Sequence, residues 1–600
     1  MAKHKYTLLL LFFFVPALLS RLLFLRTTPP YFSHDEVHYV TEARSLALTG
    51  ADLSGTWHPW FLTPSNPLYA ELPSTIMIPA ALLFHDPFLQ ARATDIVLGL
   101  FFPLLLGAVG WKLTSQKGVL LTTTILAWFN PWVLEFSRTS FDALPSLTWY
   151  CLGLLCLIGL PKKWRWTSLF GFWLGFFQYQ GLKIIFLPLI LISVIYVIWR
   201  DWPTRQNHNK FAVKELQGQL AVVIKKSLDL WVIGLLSCLL FGWYLSRLSS
   251  QSAGARVNDI LFFNQNYLAS RVNEQRRVSL TTSLGDVANN KFTVITQEFL
   301  QKYMQAFSPN QLFTQGDSVR SPFSVWSKGV FYPIDAVFIA VGIYVLIRLT
   351  QWRKAAALLL AFALIAPLPV AVNSVDTWLI FRGSWLVPTL LVVMGIGSWY
   401  IATTWPKLLQ LGVLTMMLIF GGFFGYEYFY RYPVFSTKGT AFAERTIASY
   451  IQRLPKETKV IVLVDEARFV YMSYLAYSPE LNAQNLTQIQ QSMNSSIYKI
   501  GNVEFATKCF DAQQLQPGTI IINNGINVPC DLKNTARPNV PYAKIPSLMD
   551  NGALFTVYND PVCSKYVLQP YVHVTKRKQL DVEHLDNEEF CTSLLSKPVE

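Results

Sequence analysis

Apolar runs of about twenty residues, the length that crosses a bilayer as a helix, recur along this 600-residue chain and dictate its fold class. The expected spans are Tyr6 to about Leu25, then 92–111, 119–137, 143–160, 167–182, 184–200, 228–247, 330–349, 355–372, 384–402 and 408–427. That makes about eleven helices by the length criterion. Composition agrees, because only 14% of residues are charged and 52% are hydrophobic, against roughly a quarter charged in soluble domains. Aromatics reach 14%, and many Trp and Tyr stand near span ends, where an interfacial belt places them. The net charge of +14 does not point to nucleic acid. Much of the basic charge lies in short loops between apolar runs, where it sets topology. Lys3 and Lys5 precede the first run as in a signal peptide, but no small-residue cleavage site follows. An uncleaved first helix is therefore expected.

Residues 72–84 are apolar but too few to cross, and they include Pro73 and Pro79. They are expected as a juxtamembrane or re-entrant segment. Charge supports that choice. With the N-terminus inside, the inner loops carry Lys112 and Lys117, then Lys162, Lys163 and Arg165, and later Arg348, Arg353 and Lys354. The short outer loops carry isolated cations, Arg138, Lys183 and Arg382. A spanning 72–84 would move the basic 161–165 loop outside, against the positive-inside rule. Two larger outer pieces follow, a polar loop at 248–329 and a C-terminal unit at 428–600. The C-terminal unit reads as a helix over 442–454 with β-like runs at 459–464 and 519–522, hence a small α/β domain. Of seven cysteines, Cys151, Cys156 and Cys238 fall in spans as small core residues. Cys509, Cys530, Cys563 and Cys591 fall in the outer unit and suggest two disulfides. Three pairings are open, with neighbours in sequence, 509–530 and 563–591, preferred. The sequons at Asn485 and Asn494 decide nothing.

Four sites carry candidate chemistry. Asp35 and Glu36 stand just beyond the first span, flanked by His34 and His38. Carboxylates beside a membrane segment are costly unless they act. One can take a proton from an attacking hydroxyl while the other holds substrate or a divalent cation. The alternative is a helix start that uses the acids for its dipole. His34 and His38 are expected as hydrogen-bonding residues rather than ligands. Arg138 and Asp142 follow Asn130-Pro131-Trp132. Arg138 can fork onto a phosphate, with Asp142 orienting it, binding sugar hydroxyls or assisting the acidic pair. Otherwise Arg138 snorkels and Asp142 caps the next helix. Lys183 in Phe177-Gln178-Tyr179-Gln180-Gly181-Leu182-Lys183 and Arg382 in Phe381-Arg382-Gly383 are further cations. Each could face a lipid phosphate; Lys183 could instead snorkel, and Arg382 could pair with Asp376. Acids and cations near one interface suit transfer from a phosphate-bearing lipid. No Walker A, Rossmann glycine or HExxH pattern is present, so cytosolic nucleotide chemistry is not supported.

The stretch His34-Asp35-Glu36-Val37-His38-Tyr39 resembles the Asp-Glu motif of protein O-mannosyltransferases. Pro30 to Pro59, Asn66-Pro67-Leu68-Tyr69, Gln90-Ala91-Arg92, Pro131-Trp132 with Phe136-Ser137-Arg138, and Tyr179 to Lys183 match bacterial members of a wider group. That group contains the dolichyl-phosphate-mannose–protein mannosyltransferases and the aminoarabinose transferases. Order and spacing match over roughly residues 1–430. The resemblance implies a GT-C fold, an all-α polytopic membrane module over 1–427 with juxtamembrane helices in its first outer loop (26–91). The extracytoplasmic α/β domain would occupy 428–600. It implies catalytic residues Asp35 (the base), Glu36 and Asp142, with donor phosphate held by Arg138, Lys183 and Arg382. The sequence departs from the mannosyltransferases at Asn66-Pro67-Leu68 and lacks a β-trefoil repeat in 248–329, which puts a protein acceptor in question.

The expected function is therefore inverting transfer of a hexosyl or pentosyl group from a polyprenyl-phosphate sugar to a hydroxyl of a glycan, lipid or protein. It would act at the outer face of a bacterial plasma membrane. No cofactor is expected to be required, although Asp35 and Glu36 could take a divalent metal. The alternative is a transporter or flippase for a lipid-linked sugar, for which repeated halves and midplane sites are missing from the sequence. An anchored adhesion protein would explain the disulfides but not the charges of the helical part.

Overall fold

The computed structural model describes residues 5–63, 69–202, 227–248, 265–280, 282–317, 325, 328–373, 379–437, 440–507, 518–524 and 542–597. The chain is mostly helical. The first helix, α1 (Lys5–Leu22), leads through an irregular stretch to α2 (His34–Thr49). Two short helices, α3 (Pro73–Ile76) and α4 (Ile78–Leu83), precede α5 (Pro87–Thr114). Six residues of helix rise only about 9 Å, so 72–84 does not cross. Its helices pack on α2 and α5 beside the membrane module.

Seven helical stretches among the described residues are long and apolar enough to span: Lys5–Leu22, Pro87–Thr114, Gln180–Arg200, Leu228–Arg247, Thr350–Ala371, Leu386–Thr404 and Lys407–Phe435. The other four expected spans are apolar but shorter: α6 (Lys117–Trp128), α8 (Ala143–Gly159), α9 (Ser168–Gln178) and Asp335–Arg348. Local chemistry shortens them. Asn130-Pro131 stops α6, since a proline has no N–H to continue it. The Asn130 side chain then accepts from the Val133 N–H to start α7 (Pro131–Phe136). Past Gln178 the chain tightens into a 3₁₀ turn, Gln180–Ile185, and resumes as α10 (Phe186–Arg200). Helices α8 and α9 approach closely through glycine, where a Cβ on Gly171 would lie 2.5 Å from the Gly153 nitrogen, a contact that small residues permit in membrane bundles.

Two arginines close helix ends inside the bundle. Arg21 Nη2 donates to the Trp128 carbonyl at the end of α6 (2.7 Å). Arg138 Nη1 donates to the Ser20 and Arg21 carbonyls at the end of α1 (2.8 and 2.6 Å), and its Nη2 to Thr28 O (2.8 Å). Both satisfy carbonyls that a helix terminus leaves without a partner and set a cation at the negative end of the dipole.

The described part of 248–329 is helical, with Gln265–Arg277 and Lys291–Gln305 tied by Arg271 to Glu298 (2.8 Å). Beyond Phe435 a six-stranded sheet forms: β1 (Val460–Leu463), β2 (Tyr498–Ile500), β3 (Val503–Ala506), β4 (Ile520–Asn523), β5 (Tyr542–Pro546) and β6 (Ala553–Tyr558), in spatial order β2-β3-β1-β4-β6-β5. β1 is parallel to both β3 and β4, and the outer pairs are antiparallel. Every residue of β1 and β4 is buried, as a central strand covered on both faces requires. Cys563 and Cys591 are disulfide-bonded. Cys509 and Cys530 lie outside the described residues.

The hydrophobic interior has two main parts. One fills the bundle, from Phe102 through Phe186 to Ile396. The other is shared: Tyr31, Phe32, Val37 and Val40, between α1 and α3, pack in one cluster with Ile447, Tyr471, Leu475 and Val557 of the C-terminal unit. The sheet domain thus clamps α2 from above.

Candidate functional site

The irregular stretch before α2 is set by one side chain. Arg92 of α5 donates Nη1 to the Leu25 and Pro29 carbonyls (2.7 and 3.1 Å) and Nη2 to Tyr31 O (2.7 Å). Its Nε pairs with Glu36 Oε1 at 3.2 Å, both side chains fully buried. Glu36 also accepts from the Ser33 N–H (2.8 Å) and the Ser140 N–H (3.1 Å), while Ser33 Oγ accepts from the Glu36 N–H. That is a reciprocal capping box. Glu36, expected as a catalytic acid, is therefore turned inward and consumed in holding the turn. Its oxygens already face a guanidinium and two amides, so a metal shared by Asp35 and Glu36 does not fit. One residue earlier, Asp35 is half-buried and projects from a different side of the same turn.

Asp35 and Tyr39 are four apart and share a helix face. The Tyr39 hydroxyl donates to Asp142 Oδ2 at 3.0 Å. Asp142 occupies the N-cap position of α8, yet its side chain makes no capping bond. It turns to Tyr39 instead. Burial, with the Asp35 carboxylate next in strength, holds the Asp142 carboxyl well above the usual carboxylate range, opposed by the bond from Tyr39. Paired carboxylates of this kind can share a proton, which separates acid from base.

Tyr179 brings the next cation to this pair. Its charged neighbours are Asp142, Arg382 and Asp35. Arg382, at the end of the helix Leu379–Arg382, is half-buried. Asp376, the alternative partner for Arg382, lies outside the described residues. Lys183 is close behind, and Asp142 is among the charges acting on it. Its Nζ is held by both oxygens of Glu71 (2.8 and 2.7 Å) and by Tyr244 Oη (2.8 Å). Lys183 neither snorkels nor presents an uncompensated charge.

Asp35, Asp142, Lys183 and Arg382 are thus gathered from four separate segments, and Glu36 and Arg138 are not in the group. Arg138 is fully buried, and its Nη1 and Nη2 donate to carbonyls of α1 and the following turn. It is a helix-end closure and not a phosphate clamp, and Asp142 does not orient it. Reading the sequence alone misses Glu71, Tyr39 and Tyr179. Glu71 offered a signal, a lone carboxylate beside an apolar stretch that is too short to span.

The histidines pack. His38 is buried and stacked on Tyr69 (3.9 Å), and His34 Nδ1 is 3.0 Å from Tyr69 Oη. Burial pushes His38 down to about 3, helped by Arg468 and His34. Among the described residues one group could hold a metal by spacing, Asp581, Glu583 and His584. Arg445 already pairs with Glu583 through two nitrogens, and Arg26 Nη1 is 2.9 Å from the His584 ring. Two guanidiniums in that position compete with any cation.

No family model matches the chain, and no curated protein matches it. Among solved structures it is similar to the oligosaccharyltransferase AglB of Archaeoglobus fulgidus, in complex with an inhibitory peptide and a dolichol-phosphate. There the TM-score is 0.41 and identity 11%, over 87% of this chain and 70% of that one. It is also similar to ArnT of Cupriavidus metallidurans bound to undecaprenyl phosphate, with TM-score 0.44 and identity 12%, over 92% of this chain and 97% of that one. The likeness concerns the course of the chain and does not extend to its chemistry.

Proposed function

We propose that this protein is an inverting glycosyltransferase, with a membrane module over 1–427 and an extracytoplasmic α/β unit over 428–600. It takes a sugar from a polyprenyl phosphate at the outer face of a plasma membrane and gives it to a hydroxyl of a glycan, lipid or protein. The observation that carries this reading is the Asp35–Tyr39–Asp142 arrangement with Arg382 and Lys183 drawn to it. A half-buried carboxylate, a second one linked through a tyrosine, and a cation at the mouth of a span are the parts that lipid-phosphate chemistry needs.

In the reaction Asp35 takes the proton of the acceptor hydroxyl as its oxygen bonds to the anomeric carbon. The bond from that carbon to the phosphate oxygen breaks, and the electron pair leaves with the polyprenyl phosphate. Arg382 faces the charge that develops there. Lys183, neutralised by Glu71, positions the Tyr179 segment and adds little net charge. Attack opposite to the leaving group inverts the anomeric centre, the outcome of any single displacement. Asp142, with its raised affinity for a proton, orients the acceptor hydroxyl through a hydrogen bond. No step needs a metal.

The test is a set of polyprenyl-phosphate sugars offered to the full chain in lipid nanodiscs, with membrane extract as acceptor. Release of polyprenyl phosphate and an inverted glycosidic product support the reading. Movement of intact donor across the bilayer without release would replace it with a flippase.

A further inference from the structure

The carboxyl edge of the C-terminal sheet meets the Asp35 turn, and the strand order marks that edge. β1 has parallel neighbours on both sides, and the chain goes from β1 to β3 on one side, then to β4 on the other. Ligands of open α/β sheets bind outside the carboxyl ends of strands where the order reverses in this way. Just past β1 come Asp465, Glu466, Arg468 and Phe469, and just past β4 comes Asn524. Asn524 Nδ2 donates to Asp465 Oδ1 at 2.8 Å, across the two strand ends. Asn524 Oδ1 is enclosed without a hydrogen-bond partner among the described residues, and so is Glu444 Oε2. Glu466 and Asp465 are the charges acting on Glu444, so it belongs to the same edge.

This edge reaches α2 directly. The Phe469 ring lies parallel to the His34 ring, with centroids 4.3 Å apart and planes 10° apart. Glu466 acts on His34, and Arg468 acts on His38 and Glu42. His34 precedes Asp35 in sequence, so the stacked pair joins the sheet edge to the turn that carries the carboxylate. The chemistry of the edge is carboxylate and amide with one exposed cation. Such groups accept and donate to neutral hydroxyls, and they repel an anion.

We propose that this edge is the acceptor crevice: Asp465, Asn524 and Glu444 hold the hydroxyls of a neutral glycoside, and the Phe469–His34 pair directs one of them to Asp35. The proposal rests on the transferase reading for its ligand. It is tested on the full chain in nanodiscs by saturation-transfer NMR with methyl glycosides of mannose, glucose, galactose and arabinose. Wild type and Asp35→Asn transfer saturation to at least one glycoside. A double variant, Asp465→Ala with Asn524→Ala, loses at least five-fold of that signal, and Phe469→Leu, which removes the ring but keeps an apolar side chain, also weakens it. Unchanged signal in variants that melt like wild type, or no signal in wild type, overturns the crevice. Donor consumption is followed in the same samples. Its absence in wild type sinks the transferase reading, whereas consumption with unchanged glycoside contact sinks only the crevice.

Discussion

Glu36 gives its oxygens to the Arg92 guanidinium and to the N–H groups of Ser33 and Ser140, while Asp35 stays half-exposed beside it. Adjacent positions on a helix point about 100° apart, which is enough to turn one acid inward and leave its neighbour half-exposed. Sequence reading marks both residues because a carboxylate near a span is costly, but it cannot say which one meets a guanidinium brought from a helix 56 positions away. Arg138 escaped for the same reason, since the carbonyls it closes are more than 100 residues upstream. Arg92→Leu leaves Glu36 as a buried unpaired charge and is expected to cost about 3–5 kcal/mol, read as a fall in melting temperature in detergent. A second prediction concerns pH. Burial, with Asp52 beside it, pushes Glu42 up to about 8, opposed by the Leu53 N–H and Arg468. Burial also pushes Glu444 up to about 7. A carboxyl whose folded value is raised binds more protons when folded, so it stabilises at low pH and loses that contribution as pH rises to the folded value. His38 is pushed down and works in the opposite sense, but only below about 6.5. Melting temperature is therefore expected to fall as pH rises from about 6.5 to 8, and Glu42→Gln flattens that slope.

At the scale of elements, apolar length located the spans, and the breaks inside them came from single residues. The 119–137 run is one apolar stretch by composition, and Asn130-Pro131 cuts it into α6 and α7. The β-like runs at 459–464 and 519–522 became β1 and β4, because buried parallel strands read as unbroken Val and Ile. The four outer strands are shorter on their buried face or alternate with polar residues, so their signal is weaker. The Cys563–Cys591 bridge encloses a separation of 28 residues. Chain-entropy reasoning gives such a loop about 3–4 kcal/mol. Cys563→Ser is expected to lower the melting temperature of the C-terminal unit, whereas Cys238→Ser, in the span Leu228–Arg247, leaves it unchanged.

At the scale of the molecule, α2 is held from both sides. Below it, Arg92 and Ser140 fix its first turn. Above it, the Tyr477 hydroxyl accepts from the Phe32 N–H (2.5 Å), the Arg44 guanidinium donates to Leu475 O (3.1 Å), and Arg445 donates to Pro30 O (2.5 Å). None of these bonds is legible locally, since each joins segments more than 400 residues apart. The clamp holds α2 in place from both sides, the pre-organisation by rigid neighbours that the proposed role of Asp35 requires. The central claim is that Asp35, and not Glu36, is the base. The deciding measurement is donor turnover by Asp35→Asn, in nanodiscs, for protein that melts within a few degrees of wild type. Loss of about 10²-fold or more, the range for a general base, is the predicted result. Full turnover in a folded Asp35→Asn protein would contradict it.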